Sequence, residues 1–224
     1  MNENLGQRNI RTFKRFSFIP WMLLLYAIPL VIYVGWLYCH WRATDDRTGT
    51  LVFLVGKGAM DEAIKDATGQ VTHVGIMITQ KGKHYVVDAT PEYGVSKRTF
   101  EEWEKAKAPD EQVLCLQPTF HFDIHYLKEV CEHAVGSPYD SAFSIYNNRY
   151  YCSELVQLAY ASIGEYVIPL QPMNWRNSDG DMPSFWTEWF DRIGTPIPEG
   201  EPGTNPQQIY EFVKPQSRVL KIEN

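Results

Sequence analysis

The pattern of apolar and polar positions divides the chain in two. No Asp, Glu, Lys or Arg stands between Phe16 and Trp41, and the residues from Trp21 to Leu37 are almost all apolar. At about 1.5 Å of rise per residue, roughly 20 residues cross the hydrocarbon layer, so the run is long enough for a transmembrane helix. Trp21, Tyr33, Trp36, Tyr38 and Trp41 cluster towards its ends, as aromatic rings do at the headgroup level. A cleaved signal would have an apolar region of only about 7–15 residues followed by a small-residue cleavage site, and no Ala-x-Ala follows here. The pattern therefore predicts a cytoplasmic segment 1–17, a transmembrane anchor 18–41 and a single domain 42–224.

Beyond the anchor the apolar runs are short. Leu51 to Val55, ending at Gly56, reads as a buried strand. Met60, Ala63, Ile64 and Ala67 give helical spacing over 59–68, with Gly69 placed for a left-handed cap. Val74–Ile78 and His84–Ala89 flank Gln80-Lys81-Gly82-Lys83, a hairpin pattern with Gly82 relieving the turn. Thr99 and Glu102 make a capping box for a short helix bearing Trp103. Asp123 caps a second helix with Ile124, Leu127, Val130, Cys131 and Ala134 on one face, ended by Gly136 and Pro138. A third runs from near Cys152 to Gly164, with Leu155, Leu158, Ala159 and Ser162 inward. Residues 169–202 are rich in Trp and Pro without a period and read as an irregular covering segment, a candidate lid. Asn205-Pro206 opens a final helix, and Val219–Ile222 reads as a closing strand. Strands grouped in the middle favour an α+β domain, an antiparallel sheet packed on helices, over a parallel doubly wound sheet.

Charge sets the orientation and removes one class of partner. Arg8, Arg11, Lys14 and Arg15 precede the anchor, whereas Arg42 and Arg47 beyond it are offset by Asp45 and Asp46. The positive-inside rule keeps the N-terminus in the cytoplasm and the domain outside it. Residues 1–41 carry four Lys/Arg and one Glu, a net +3, which leaves −9 of the total −6 on the remainder. Nucleic acid is not an expected partner of so acidic a domain. Of the four cysteines, Cys39 lies in the anchor and three remain, which is not a disulfide framework. Cys115 and Cys131 read as small buried hydrophobes, and a pairing between them stays open.

Cys152 stands at the start of its helix, where free N–H groups and the positive dipole end favour a thiolate. The helix alone reads equally as one holding a buried structural cysteine. His73 opens one hairpin arm and Asp88 closes the other. With a two- or four-residue loop an odd and an even position share a face. Pairing 79 with 82 sets His73 and Asp88 directly opposite, and pairing 80 with 83 sets them diagonally. A nucleophile, a base and an acid that orients it make a hydrolytic set. Glu92 competes for the third role. The other histidines lack partners at zinc spacing, so neither a metal nor any other cofactor is expected.

These segments resemble the permuted papain-like amidases of the YaeF/YiiX group, relatives of NlpC-type cell-wall peptidases and of lecithin–retinol acyltransferase. The resemblance runs from Gly49 to about Leu220. It rests on Gly49-Thr50-Leu51-Val52-Phe53, Thr72-His73-Val74-Gly75-Ile76, Val86-Val87-Asp88-Ala89, Gly136-Ser137-Pro138-Tyr139-Asp140 and Tyr151-Cys152-Ser153-Glu154-Leu155-Val156. It implies a circularly permuted papain-like (NlpC-like) fold, in which histidine precedes cysteine along the chain. His73 is then the base, Cys152 the nucleophile and Asp88 the third member, where the family more often has Glu, and Tyr139 and Tyr151 line the substrate cleft. The expected activity is amide hydrolysis on a cell-wall peptide or an amino-acid conjugate, in a domain facing the bacterial periplasm. A lipid acyl hydrolase or acyltransferase with the same triad is the second expectation, and a non-catalytic envelope binding module the third.

Overall fold

The computed structural model describes residues 26–37, 46–161 and 168–220, and the chain separates into two compact units, 1–45 and 46–224. In the first, α1 (26–37) is a helix with exposed apolar side chains. The rest of the expected anchor, and the basic segment before it, lie outside the described residues. Among the described residues no helix is long and apolar enough to cross a membrane.

The second unit is built on a six-stranded, wholly antiparallel sheet in the order β4-β3-β2-β1-β5-β8. Its strands are β1 (Thr50–Val55), β2 (His73–Gln80), β3 (Lys83–Thr90), β4 (Gly94–Thr99), β5 (Gln112–Pro118) and β8 (Ser217–Leu220). The helices are α2 (Ala59–Thr68), α3 (Phe100–Ala106), α4 (Ile124–Ala134), α5 (Cys152–Ala161), α6 (Ser184–Ile193) and α7 (Pro206–Val213). Two short strands, β6 (Gln171–Pro172) and β7 (Pro202–Gly203), pair with each other. An α+β domain with an antiparallel sheet is what the sequence pattern predicts.

Central β1 is flanked by β2 and β5, which is why Leu51, Val52 and Phe53 are apolar without alternation: each face meets a core. Leu51, Phe53, Val74, Ile76 and Val87 pack under α4, α5 and α7, against Leu127, Leu155, Val156 and Ile209. Val52, Met77 and Val86 face Trp103 of α3. The β2–β3 turn holds Lys81 and Gly82 both at positive φ, 52° and 73°, the two-residue form that matches strand twist.

Several local expectations change. β4 is a strand the hydrophobic pattern does not announce, because Val95 is its only buried residue. Gly69 is at φ 131°, ψ −173°, not in the left-handed helical region. On α5 the inward residues are Leu155, Val156, Ala159 and Tyr160, whereas Leu158 is exposed. Residues 162–167, with Ser162 and Gly164, lie outside the described residues, as do Lys221 and Ile222. The Trp-rich segment is not irregular throughout: it contains α6, hidden from the sequence by the prolines around it. Trp175, Trp186 and Phe190 bury themselves with Phe143 in a second aromatic core against α2.

Candidate active site

β2 begins at His73, and the residue before it holds that start in place. The Thr72 hydroxyl accepts the Gly56 N–H at 3.0 Å and donates to the Leu54 carbonyl at 3.3 Å. The β2–β3 register pairs Gln80 with Lys83, so His73 and Asp88 meet diagonally and not face to face. Gly75 lies between them on that face. A Cβ there would come within 2.8 Å of a Val86 methyl and 3.1 Å of the Asp88 Cβ, so glycine leaves the space through which the imidazole reaches the acid.

The contact is direct: His73 Nε2 is 2.9 Å from Asp88 Oδ2. Asp88 is 1% exposed, and a buried carboxylate must be satisfied by donors. Besides the imidazole it accepts from Trp103 Nε1 at 2.8 Å, from the Ser96 hydroxyl at 3.2 Å and from Arg98 at 3.1 Å on each oxygen. Burial works against its charge. The His73 hydrogen bond, the His73 and Arg98 charges and the Trp103 N–H outweigh burial and hold the carboxyl below its usual 3.8. Glu92 is exposed and makes no hydrogen bond to His73.

Cys152 begins α5 and is 8% exposed. The first backbone bond of the helix runs from Leu155 N–H to the Tyr151 carbonyl, so the N–H groups of Cys152, Ser153 and Glu154 precede the ladder. That end is clamped to the segment after β7. The Ser153 hydroxyl donates to the Thr204 carbonyl at 3.1 Å, and the Tyr151 hydroxyl accepts the Thr204 N–H at 3.2 Å. Cys152 and His73 line the same cleft, and Cys152 is the largest influence raising the His73 pKa. Burial pushes the imidazole pKa down, but the neighbouring Cys152 and the bond to Asp88 prevail and raise it to about 10. Burial pushes the Cys115 and Cys131 thiols up to about 12 each, and both are free.

A cleft of about 360 Å³ opens on this group, within the size of small-molecule sites. His73, Asp88, Cys152, Tyr139 and Tyr151 all line it. Tyr139 packs edge-on to Phe143, and its hydroxyl pKa is raised by burial and by the Cys152 charge. The Tyr151 hydroxyl is committed to Thr204. The apolar wall comes from Met60, Ile64, Met173 and Trp175. Sequence reasoning misses Ser96, Arg98, Glu154 and Thr204, and sees Trp103 only as a helix residue. The capping box that starts α3, with Thr99 Oγ1 accepting Glu102 N–H at 3.2 Å, was the one available signal for where that indole goes.

Residues 46–216 match the family described as permuted papain-like amidase enzyme, YaeF/YiiX, C92 family. YiiX of Escherichia coli strain K12, described as an uncharacterized protein, is 27% identical over 176 residues, 75% of this chain and 84% of that protein. A crystal structure of YiiX from Escherichia coli O157:H7, described as a metalloprotein, superposes with a TM-score of 0.65 at 23% identity, covering 80% of this chain and 98% of the other. With that match over most of its length, the chain belongs to the permuted papain-like amidases of the YaeF/YiiX group and is a cysteine hydrolase of the amidase or peptidase type.

Proposed function

We propose that the protein cleaves an amide bond through an acyl-enzyme on Cys152, with His73 as base and Asp88 as the acid that orients it. The observation that carries this is His73 bonded to a buried carboxylate in the same cleft as Cys152, the only cysteine among the described residues that lines it. The Cys152 thiolate attacks the carbonyl carbon, and the oxyanion takes hydrogen bonds from the N–H groups at the start of α5. The C–N bond breaks as the His73 imidazolium gives its proton to the leaving amine. Water, deprotonated by His73, then adds to the thioester, and the C–S bond breaks to release the acid and return the Cys152 thiolate beside protonated His73.

The substrate class is an amide in a cell-wall peptide or an amino-acid conjugate, reached by a domain held outside the cytoplasm. The uncharged run from Phe16 to Trp41 and the exposed apolar side chains of α1 support membrane attachment. A lipid acyl ester or amide is the second reading, and the wall of Met60, Ile64, Met173 and Trp175 favours it. Burial of Trp175 and Trp186 in the domain core speaks against those rings as a lipid-facing lid. A metal does not fit this site. Both Asp88 oxygens are taken up by four side chains, and no group of three His, Cys, Asp or Glu able to hold an ion occurs among the described residues.

The test is pre-steady-state hydrolysis of p-nitrophenyl acetate. One equivalent of p-nitrophenolate per chain should be released as a burst, lost in Cys152→Ala and slowed at least tenfold in His73→Ala. A burst that persists in Cys152→Ala, or no burst at all, contradicts the acyl-enzyme and favours a non-catalytic binding module.

A further inference from the structure

Asp88 has more partners than an orienting acid needs, and one of them carries charge. Arg98 reaches it from β4, where it is paired with Val86 in the β3–β4 register and so shares the Asp88 face. Its terminal nitrogen stands 3.1 Å from both carboxylate oxygens. The guanidinium lies over the Tyr93 ring at 5.3 Å from its centroid and lines the catalytic cleft. The Arg98 Nε is buried with no hydrogen-bond partner. A partly buried cation with an unmet donor is costly, and Trp103 and Ser96 already give the carboxylate two neutral donors.

We infer that Arg98 is a positioning residue of the reaction: it fixes the Asp88 carboxylate towards His73 and partly neutralises it, so that the imidazolium is held loosely enough to release its proton to the leaving amine. The inference rests on the Cys152–His73 mechanism above. In that mechanism His73 must both take a proton from the thiol and give one up at the amine, so an acid that grips the imidazolium too tightly slows the second step. The charge of Asp88 felt by His73 is the residue left after Arg98 is subtracted.

The other groups facing this cluster do not supply the same correction. From α5 come Cys152 and Glu154, from the loop before it Tyr139 and Asp140, from α3 Trp103 and Glu102, and from the loop before β4 Glu92 and Tyr93. All of these are neutral or acidic; Lys107, after α3, lines the cleft but makes no bond to Asp88. Arg98 is the one permanent cation that hydrogen-bonds Asp88 among the described residues.

The experiment follows the His73 imidazole by NMR in the full-length chain with labelled histidine. The background is Cys152→Ser, which removes the thiolate and leaves Asp88 and Arg98 as the main influences. Adding Arg98→Met should raise the His73 midpoint by about one pH unit, the low end of what a charge at 4–6 Å does. Adding Arg98→Lys, which keeps the charge without the planar fork, should leave the midpoint near the Cys152→Ser value. An unchanged or lowered midpoint in Arg98→Met, with the fold intact by urea unfolding, overturns the inference, as does an equal rise in both variants. The mechanism it rests on is read separately: its ion pair requires the His73 midpoint to fall between the unmodified protein and Cys152→Ser, whatever Arg98 does.

Discussion

Glu154, two residues after the nucleophile, makes stability depend on pH in a direction opposite to that of most carboxylates. It is 3% exposed, and its Oε2 accepts the Tyr151 N–H at 3.3 Å. Asp140, fully buried nearby, has both oxygens engaged by the Ala142 and Ser144 N–H groups at 3.0 and 2.6 Å. Burial pushes the Glu154 carboxyl up from 4.5 to about 8, against the Tyr151 N–H and with help from the Asp140 charge. A carboxyl raised by folding binds its proton more tightly in the native state. Its contribution is therefore intact below the unfolded value of 4.5 and is lost as pH climbs towards 8. At about 1.4 kcal/mol per pH unit that loss has a ceiling of about 5 kcal/mol. Relaxation and water entry around a buried ion bring the expected figure to about 3 kcal/mol. Glu154→Gln keeps the acceptor for Tyr151 and removes the charge. Urea unfolding should find the variant and the unmodified protein alike at pH 5. At pH 8.5 the variant should be more stable by about 3 kcal/mol, a midpoint shift on the order of 1–2 M. A difference that stays constant across this range, or a variant less stable at pH 8.5, would refute the assignment of the buried charge.

Four further substitutions separate the parts of the account. Asp88→Asn should lower turnover by on the order of 10³–10⁴, as loss of the orienting acid does in a related triad, whereas Glu92→Gln should leave it within a factor of two, both read from the p-nitrophenyl acetate burst rate. Gly75→Ala should cost about 1–3 kcal/mol by overpacking and slow the same burst, because the added methyl meets Val86 and Asp88. Trp186→Ala should cost about 3–5 kcal/mol in urea unfolding, since the indole is 1% exposed in the core between α2 and α6; a loss under 1 kcal/mol would mean that this segment is a loose cover.

The helices with chemical punctuation were legible in the sequence. Thr99 and Glu102 close their capping box, Asp123 accepts the His125 and Tyr126 N–H groups, and Asn205 with Pro206 opens α7. The hairpin was legible too, because Lys81-Gly82 can take positive φ at both positions and parity then puts His73 and Asp88 on one face. What escaped was encoded in long-range contacts. β4 has one buried residue and too little alternation to announce a strand, yet it delivers Ser96 and Arg98 to Asp88. α6 offers only Trp186 and Phe190 at a helical separation, too little for a period, and prolines on both sides hide its start. Thr204 reaches the Cys152 helix only through a fold that closes a separation of about fifty residues. The cleft was placed by resemblance and not by periodicity, since Tyr139, Met60 and Trp175 share no local pattern.

The central claim is that Cys152 and His73 form an ion pair, and its most direct test is the rate of iodoacetamide alkylation of Cys152 against pH, with Cys115 and Cys131 replaced and with His73→Ala alongside. The account predicts alkylation at neutral pH at least tenfold faster than in His73→Ala. A rate unchanged by removing His73 would contradict it.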